Sequence, residues 1–563
     1  MNLFEQILAN RGLTGSRREA FLNPDYDAKH DPFLLPDMER AVTRLIKARK
    51  DDEHITIYGD YDIDGLTATT LLLDALGKFG FKKVNAFVPN RFVEGYGLTV
   101  DAIERIASTG TKLIITVDCG SLSEKEIRRA KELGVDVIVT DHHNVAPIQP
   151  PAVAVINPKR LVADYPDEYE NFLLKKESNE WGKIYPFVDL AGVGVAFKLV
   201  QALQTKMEGL PQGQEKWLLD LVALGTVCDV VTLIDENRAN VFWGLKVLAK
   251  AKRPGLKALM AVARIEPEKI DARSLGFGLG PRMNAAGRLE TAQYALDMLT
   301  TEDSLDALNL AQQLDVLNTS RRSEQAKILE EAVIQAERYK NDNVLVVSAE
   351  GWNHGIVGIV AAKLLEKYLK PVFVLEEMGE ESKGSARSYG GFSAADAIRA
   401  SDDLIIKGGG HKLAAGVTLP TANISEFRKR VNAFYVAQGL SDQRALLLPQ
   451  SEATVEFKEV TEELVRLLAT LEPFGNGNTP PILRTEKTIV IHTRRMGSER
   501  QHIKLELQDA RGHMMHMLAF SAPSHFFVDP GTKVTVWYQP DLNEWNGRRS
   551  VEGKLLHLEI DEL

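Results

Sequence analysis

Cysteine, long hydrophobic runs and a basic leader are scarce or missing in this sequence. Only two cysteines, Cys119 and Cys228, occur in 563 residues. This excludes a disulfide scaffold and favours a reducing cytoplasm. No apolar stretch approaches the length of a membrane span, and the N-terminus lacks a basic region followed by a long apolar run. We therefore expect a cytoplasmic protein with no membrane partner.

Positive charge is also in the minority, since the formal net charge is -10. This balance argues at first against a nucleic-acid partner. However, carboxylates that cluster at a cation site add negative charge that the bound cations offset. Nucleic-acid binding depends on where the positive charge lies rather than on the total. The net charge therefore does not exclude such a partner.

The order of predicted elements indicates several domains, because 563 residues exceed what one core supports. Short apolar strands alternate with helices from about residue 46, which predicts a Rossmann-like parallel α/β sheet. A long connector helix follows, with Thr301 as its cap and a weak point near 318–320. A second α/β unit begins at Val344, and five late strands predict an OB-type β-barrel. The predicted parts are an N-terminal segment 1–45, a first α/β domain 46–300, a connector helix 301–340, a second α/β domain 341–445 and a barrel 446–563.

Three acidic residues follow the first predicted strand. The stretch HITIYGDYDIDG, residues 54–65, places Asp60, Asp62 and Asp64 on alternate positions. Like charges this close cost free energy unless cations neutralise them, which favours a metal site. A solvated acidic loop is one alternative. An EF-hand is excluded, because position twelve of the loop is Leu71 rather than glutamate and a strand precedes the loop.

Two further predicted strands end in side chains that bind metals. Residues 113–117 lead into Asp118, and residues 135–139 lead into Thr140-Asp141-His142-His143. Because ligands bind beyond the carboxyl ends of parallel strands, we expect these side chains to join the first three carboxylates. Asp229, near the end of the apolar segment 217–231, is either another metal ligand or a helix-end residue exposed to water.

Two glycine-rich segments offer contacts to phosphate. Residues 275–290 combine small residues with the donors Arg282, Asn284 and Arg288, although an ordinary glycine-rich turn explains them too. In KGGGHKLAAG, residues 407–416, three glycines run toward a predicted helix. Their backbone N–H groups would form an anion cradle beside His411. A glycine turn with a structural histidine is the alternative.

Basic and aromatic side chains interleave in the predicted barrel. Such a surface suits base stacking and phosphate contact on a single strand. Aromatic residues in a barrel also serve as core, so both interpretations stay open for each one. The interleaved residues are Arg494, Arg495, Arg500, Lys504, Trp537, Trp545, Arg548 and Arg549.

The ordered motifs of the chain carry a family resemblance. GDYDIDG, VDCG, TDHHN and GTVCDVV resemble the four motifs of the DHH phosphoesterase family, and GGGHKLAAG resembles the DHHA1 motif. Within that family, PNRFVEGYGL, LAGVGVAFKL, PRMNAAGRL, WNHGIVGIVA and EPFGNGN resemble the RecJ single-strand-specific exonucleases. The resemblance runs nearly end to end. It implies a DHH domain over 46–300, a DHHA1 domain over 341–445 and an OB domain over 446–563.

The resemblance also implies a ligand set for two divalent cations, with Mn²⁺ favoured over Mg²⁺. Asp118 would lie between the two ions, and Asp141 would orient the neighbouring imidazoles. Tyr58 stands where some family members carry histidine, which leaves the completion of the first shell open. The oxygen-rich set disfavours thiolate ligation by either cysteine. The implied ligands are Asp62, Asp64, Asp118, His142 and Asp229, and Asp60 is implied either as a further ligand or as a residue that supports one.

The implied activity is 5′-to-3′ hydrolysis of single-stranded DNA to mononucleotides, in recombination and repair. The cations would lower the pKa of a water molecule and stabilise an in-line displacement. His143 would contact the scissile phosphate or protonate the leaving oxygen. The residues expected to grip DNA are Arg282, Asn284, Arg288, Arg387, Ser388, Gly409, Gly410, His411, Trp545 and Arg548.

Two other functions fit parts of the pattern. One is a phosphodiesterase of the same family that acts on short oligoribonucleotides or cyclic dinucleotides, although such substrates need no extended strand platform. The other is a non-catalytic single-strand-binding scaffold, although all four metal motifs are filled. We expect a monomer, and a single-strand-binding protein or a helicase as its protein partner.

Overall fold

The computed structural model describes residues 2–164, 166, 184–440, 444–545 and 547–561, without the side chains of Arg444 and Trp545. Two units emerge from the chain. The first joins Met1–Asp315 to Gln450–Leu563, and the second is Val316–Pro449. Within the described residues, no helix combines the length and the apolar character that crossing a membrane requires.

Helices flank the strands throughout the chain. A π-helix, Ser274–Leu279, leads directly into one of them. The α-helices are α1 Leu3–Asn10, α2 Gly15–Leu22, α3 Met38–Lys50, α4 Ile63–Lys78, α5 Val100–Ser108, α6 Glu124–Glu132, α7 Arg160–Asp164, α8 Gly192–Lys206, α9 Leu219–Cys228, α10 Asp235–Leu248, α11 Pro254–Val262, α12 Gly280–Leu289, α13 Gln293–Thr300, α14 Ser304–Arg338, α15 Val357–Tyr368, α16 Ala394–Arg399, α17 Ile424–Ala437 and α18 Glu462–Ala469.

A parallel sheet forms the centre of the first unit. Its order is β2-β1-β3-β4-β5, and every neighbouring pair is parallel. Continuous apolar runs such as LIITV in β3 suit strands that are buried on both faces. The predicted Rossmann-like sheet is confirmed. Its strands are β1 Ile55–Gly59, β2 Val84–Phe87, β3 Leu113–Val117, β4 Asp136–Thr140 and β5 Ala154–Ile156.

The second unit has a mixed sheet of order β6-β7-β8-β10-β9. The pair β6–β7 is parallel and the other pairs are antiparallel. The predicted second α/β unit is confirmed, and its last strand in space is the glycine-rich β9. The strands are β6 Leu345–Glu350, β7 Val372–Met378, β8 Glu381–Arg387, β9 Lys407–Gly410 and β10 Ala414–Pro420.

A closed barrel completes the first unit. Its sheet runs β11-β12-β13-β14-β16-β15, and pairing between β12 and β15 closes it. Its core also takes in Phe4, Ile7 and Leu8 from α1. The predicted OB-type barrel is confirmed. The strands are β11 Ala453–Thr454, β12 Leu483–Met496, β13 His502–Gln508, β14 Met514–Ala519, β15 Lys533–Trp545 and β16 Arg548–Ile560.

Three local predictions are wrong. The connector α14 runs from Ser304 to Arg338 without a break at 318–320. Its first N–H groups bond to the Asp303 carboxylate, so Asp303 rather than Thr301 caps the helix. The glycines of KGGGH form an edge strand and do not run into a helix. The finer division into five parts stays a prediction.

Candidate metal centre

The acidic loop after β1 is shaped by the start of α4. Asp62 is the N-cap, and its carboxylate accepts hydrogen bonds from the N–H groups of Asp64 at 2.9 Å and Gly65 at 3.3 Å. This is why a carboxylate is favoured at the position before the helix. Gly65 is required there, because a Cβ would lie 2.5 Å from the Asp60 carbonyl oxygen. The cap therefore fixes the backbone that carries Asp62 and Asp64, and Gly65 lets the Asp60 backbone lie against the start of α4.

Asp64 connects this loop to the start of α8. Its two carboxylate oxygens accept hydrogen bonds from the N–H groups of Gly192 at 2.5 Å and Val193 at 2.8 Å. A carboxylate is favourable at a helix N-terminus, where backbone donors lack partners. A Cβ on Gly192 would lie 2.8 Å from the Cβ of Asp118. Gly192, the first glycine of LAGVGVAFKL, therefore lets α8 approach the carboxylates.

The next two strand ends bring Asp118 and His142 to the same place. Asp118 follows β3 in a left-handed conformation, φ 61°, which aspartate tolerates better than most residues. The His142 Nε2 atom lies 3.1 Å from Asp118 Oδ1, 3.5 Å from Asp229 Oδ2 and 3.7 Å from Asp64 Oδ2. Asp229 reaches them from the end of α9. Four separate elements thus meet at one imidazole.

Asp141 accepts hydrogen bonds from both neighbouring histidines. Its Oδ1 accepts hydrogen bonds from the N–H groups of His142 at 2.7 Å and His143 at 3.1 Å, and from His143 Nδ1 at 2.9 Å. Its Oδ2 accepts one from the Ser121 N–H. Burial alone would raise the pKa of Asp141, but these bonds, with the His143 charge, lower it. A charged, fully bonded Asp141 therefore fixes the orientation of the His143 ring.

The buried carboxyls repel one another's charge. Burial, followed by the charge of neighbouring acids, raises the pKa of Asp60 and Asp118 well above the ordinary value. The same two causes raise the pKa of Asp64 to about 7 and that of Asp229 to about 9. In the absence of cations, these carboxyls therefore hold protons that an unburied aspartate has lost.

The pKa values of the two adjacent histidines shift in opposite directions. Burial and the neighbouring His143 lower the pKa of His142 to about 3, so His142 is neutral, which is the form that binds metals. Burial alone would lower the pKa of His143, but its hydrogen bond to Asp141 raises it. His143 is also about a third exposed, whereas His142 is buried. The two rings therefore differ both in burial and in the direction of their pKa shifts.

Three donor sets at this edge of the sheet have the composition of divalent-cation sites. They are Asp60–Asp62–Asp118, Asp64–His142–Asp229 and Asp118–His142–His143, and the ligand atoms within each set lie within 4.8 Å of one another. Asp60 Oδ1, Asp118 Oδ1 and His142 Nε2 are buried and make no hydrogen bond to any described residue. Buried polar atoms are normally paired, so these atoms fit cation ligands. The oxygen-rich set suits hard cations such as Mg²⁺ and Mn²⁺.

Both cysteines and Tyr58 make their described contacts with groups outside the three donor sets. Cys119 is buried in the apolar cluster that includes Tyr58, and its Sγ lies 3.5 Å from the Val117 carbonyl oxygen. Cys228 Sγ lies 3.7 Å from the Leu275 carbonyl oxygen. The Tyr58 hydroxyl donates to the Gly97 carbonyl at 2.9 Å. These contacts are structural.

Sequence reasoning missed Arg91 and Tyr96, which also lie at this cluster. The Tyr96 hydroxyl lies 3.2 Å from His143 Nδ1. The Arg91 guanidinium stacks on the Tyr61 ring at 4.3 Å, and its buried Nε has no hydrogen-bond partner in the described part of the chain. Arg91 also opposes the rise in the pKa of Asp60, for which burial is the main cause. Both residues belong to PNRFVEGYGL, and the family resemblance of this motif was the only indication in the sequence that they matter.

The segment 275–290 is helical, neither a turn nor a loop. The π-helix Ser274–Leu279 runs into α12, and a Cβ on Gly287 would lie 3.1 Å from the Tyr61 carbonyl oxygen. Arg282 donates to Asp315 at 2.8 Å and to the Gly278 carbonyl at 2.7 Å. Asn284 and Arg288 are half-buried on α12. The small residues thus permit the close approach that the sequence indicates.

The predicted DNA contacts of the second unit fall into two kinds. Arg387 is half-buried, and its guanidinium lies beside Gly358 at the start of α15. Ser388 is buried, with its hydroxyl 2.8 Å from the Phe392 carbonyl and 2.9 Å from the Lys412 carbonyl, so its described contacts are structural. Gly409, Gly410 and His411 lie on or next to β9 and are exposed.

A row of basic and aromatic side chains crosses three strands of the barrel. Arg484 pairs with Trp537, and Trp537 pairs with His557, in adjacent strands. The Arg484 guanidinium lies 4.8 Å from the Trp537 ring, and the Trp537 and His557 rings are 5.1 Å apart. Arg548 is exposed at the start of β16. The side chain of Trp545, a predicted contact, lies outside the described residues.

Family models match three parts of the chain. The DHH family, N-terminal domain, matches residues 54–226. The DHHA1 domain matches residues 341–437. The RecJ OB domain matches residues 451–557. The matched ranges follow the order that the motifs indicate.

Known relatives resemble the chain over nearly its whole length. The single-stranded-DNA-specific exonuclease RecJ of Salmonella typhimurium is 33% identical, covering 98% of this chain and 94% of that protein. The Bacillus subtilis protein of the same name is 35% identical over 97% of this chain, which spans 66% of that relative's length. The crystal structure of Thermus thermophilus RecJ in complex with Mn²⁺ has 29% identity and a TM-score of 0.80, covering 100% of this chain and 78% of that one. This chain therefore belongs to the RecJ family of single-stranded-DNA-specific exonucleases.

Proposed function

We propose that this protein is a divalent-cation-dependent exonuclease that degrades single-stranded DNA from the 5′ end to mononucleotides. The observation that carries the proposal is the meeting of seven ligand-type side chains at the carboxyl edge of one parallel sheet. Together with family membership, this cluster fits phosphodiester hydrolysis better than binding alone. The seven are Asp60, Asp62, Asp64, Asp118, His142, His143 and Asp229.

Two cations would be held by the carboxylates and His142, with Asp118 shared between them. Asp118 and His142 are each common to two of the three donor sets, and of the two only the carboxylate has two oxygens to share between cations, which supports Asp118 as the shared ligand. When bound, such cations lower the pKa of a water molecule and neutralise charge on the phosphate. Mn²⁺ is favoured over Mg²⁺ because the set includes an imidazole, a ligand that suits the transition metal better.

His143 is proposed as the general acid. Burial lowers the pKa of His143, but the hydrogen bond to Asp141 more than offsets this and raises it, which favours the protonated imidazole. The protonated ring gives its proton to the O3′ atom that leaves when the phosphodiester is cleaved. That oxygen stays on the released mononucleotide, and the phosphate stays on the shortened strand. The Tyr96 hydroxyl, close to the same ring, helps to hold it in place.

Phosphate groups of the DNA strand would bind to several positively charged side chains and to backbone N–H groups. In the first unit, the phosphate-binding side chains would be Arg91, which lies beside Asp60, and Arg282, Asn284 and Arg288 on α12. Arg387 and the exposed β9 segment with Gly409, Gly410 and His411 would do so in the second unit. Ser388 is proposed to support that segment through its carbonyl bonds. Arginine and backbone N–H groups suit a phosphodiester's single negative charge.

The barrel would bind the strand beyond the scissile bond. The row Arg484–Trp537–His557 offers stacking surface and positive charge together, as single-strand platforms do. Such a platform has no use for a dinucleotide substrate, which argues against the short-substrate alternative. A role in recombination and repair, a monomeric state, a cytoplasmic location and a single-strand-binding protein or helicase as partner stay predictions.

The test offers a long single strand, a matching duplex and a dinucleotide to the protein with Mn²⁺, with label at either end. The proposal expects fast release of labelled mononucleotides from the 5′-labelled single strand. Slower turnover of the duplex and the dinucleotide is also expected. Equal turnover of the dinucleotide and the long strand would sink the exonuclease assignment. Release from the 3′-labelled end first would reverse the proposed polarity.

A further inference from the structure

The segment that follows Asp229 has an unusual backbone. Val230 takes a left-handed conformation, φ 61°. This conformation is a genuine outlier for a β-branched residue, because its branched side chain crowds the backbone there. The Val230 side chain is 65% exposed, so packing around that side chain does not hold the conformation. Something outside the segment must therefore stabilise the backbone.

The turn 471–479, which contains EPFGNGN, supplies that support from 246 residues away in sequence. The Asn476 amide donates to the Val230 carbonyl at 3.0 Å. The Leu233 N–H donates to the Asn476 carbonyl at 2.7 Å. One asparagine thus grips both ends of the segment that leaves Asp229. A Cβ on Gly475 would lie 2.6 Å from Leu233 Cδ1, so the turn can approach only with glycine there.

The turn is itself held in place by buried donors. Arg238 donates to the carbonyls of Leu471 at 3.0 Å and Glu472 at 2.8 Å. Asn478 donates to the Leu471 carbonyl at 2.8 Å and is in turn held by Arg11 at 2.8 Å. Arg238 and Asn478 are buried. Asn476 therefore projects from a rigid turn.

We propose that Asn476 is a positioning residue for the metal centre, because it holds Val230 in the conformation that directs the Asp229 carboxylate toward His142. The argument rests on the proposed function, in which Asp229 is a metal ligand. Asn476 touches neither substrate nor cation. It acts through the backbone next to a ligand, in the way that outer contacts orient ligands at other metal sites. The metal centre at the edge of the first α/β sheet is thus supported by the turn between β11 and β12 of the barrel sheet.

The test measures Mn²⁺ binding by isothermal titration calorimetry, with no DNA present, in the full chain. Asn476→Ala should weaken Mn²⁺ binding roughly tenfold or more. The matched control is Asn432→Ala, which removes an asparagine that donates to the Val344 and Arg428 carbonyls in the second unit. The control should bind Mn²⁺ as the unchanged protein does. Thermal unfolding in EDTA reports the structural cost of both changes.

A second variant separates positioning from general loosening. Glycine adopts φ 61° without strain, so Val230→Gly in the Asn476→Ala background should recover part of the lost Mn²⁺ affinity. If Asn476→Ala does not fold, Asn476→Asp keeps the size but loses the donor and should show the same loss. Unchanged Mn²⁺ affinity in the Asn476 variants would overturn the inference. Absence of Mn²⁺ binding by the unchanged protein would instead overturn the proposed function.

Discussion

The carboxylate cluster of the first unit and the glycine strand β9 of the second unit differ in burial and in composition. Four of the seven side chains in the cluster are buried, and hydrogen bonds hold Asp64 and the neighbouring Asp141 in place. All four residues of β9 are exposed, and the strand lies at the edge of its sheet. An edge strand presents backbone groups that lack ladder partners. The first surface is organised by side chains before a ligand arrives, and the second offers mainly backbone and space.

The comparison teaches where each kind of chemistry resides. Charge that must be held at fixed distances needs burial and supporting bonds, as Asp64 and Asp141 have. A polymer that must slide past needs a surface on which small residues keep side chains out of the way. At Gly409 the strand leaves open space, since a Cβ added there would meet no atom of the described residues within 4 Å. Substitutions at the two surfaces should therefore fail in different ways.

The largest effect is expected at the shared carboxylate. Asp118→Ala should lower single-strand cleavage by at least about 1,000-fold, equivalent to about 4 kcal/mol of transition-state stabilisation. Removing a buried carboxyl crowded by other acids relieves repulsion, but alanine fits φ 61° less well than aspartate, so the unfolding temperature of the metal-free protein should change little. Cleavage rates with Mn²⁺ and thermal unfolding in EDTA measure the two effects. Retained cleavage would refute the shared-ligand assignment.

The next effect is expected at the outer histidine. His143→Gln should lower the cleavage rate about 100-fold or more, because a general acid contributes about 10²–10⁴. Mn²⁺ binding should change little, since His142 is the inner ligand. The pH–rate profile should also lose the limb that falls as His143 deprotonates. A large loss of Mn²⁺ affinity would instead make His143 a ligand.

A smaller effect is expected on β9. Gly409→Ala adds a methyl group that clashes with no described residue, so its free energy of unfolding should stay within about 0.5 kcal/mol of the unchanged value. If DNA approaches this strand closely, the KM for single-stranded DNA should rise. Gly410→Ala is the contrast: φ is 142° and a Cβ would lie 2.6 Å from the Ala414 carbonyl oxygen, so it should unfold at lower temperature. Equal destabilisation by both changes would erase the contrast between them.

The smallest effect is a pH dependence of cation stabilisation. Burial raises the folded-state pKa of Asp64 to about 7 and of Asp229 to about 9. A raised folded-state pKa gives stability that is present at low pH and is lost as pH rises through the folded-state value. The metal-free protein should therefore lose stability between about pH 4 and 9. Mg²⁺ should raise the unfolding temperature more at pH 9 than at pH 6. An equal rise at both pH values would contradict the raised pKa values of Asp64 and Asp229.

Much of the architecture follows from pattern. Apolar runs such as those of β1, β3 and β4 predict their strands to within one or two residues. Because these strands are parallel, the residues that follow them had to meet at one edge. Burial, hydrogen-bond partners and pKa directions could not be predicted, because they depend on elements distant in sequence. The bonds from Gly192 and Val193 to Asp64 are an example.

The wrong predictions have local causes. Asn318, Thr319 and Ser320 are weak helix formers, but each costs only a few tenths of a kcal/mol in a long helix. Asn318 also accepts a hydrogen bond from Arg321, which supports the helix there. Glycine carries little information about helix or strand, so pairing with β10 decided the conformation of β9. Arg91 and Tyr96 were missed because they lie in a loop. A loop has no regular repeat of side-chain direction from which their position at the site could be predicted.

The most direct test of the two-cation centre is the number of Mn²⁺ ions bound per chain, measured by calorimetry in the unchanged protein and in Asp118→Ala. The account predicts two ions for the unchanged protein, with both sites weakened in the variant because Asp118 belongs to two of the donor sets. One ion per chain, or two ions bound with unchanged affinity after Asp118 is removed, would contradict it.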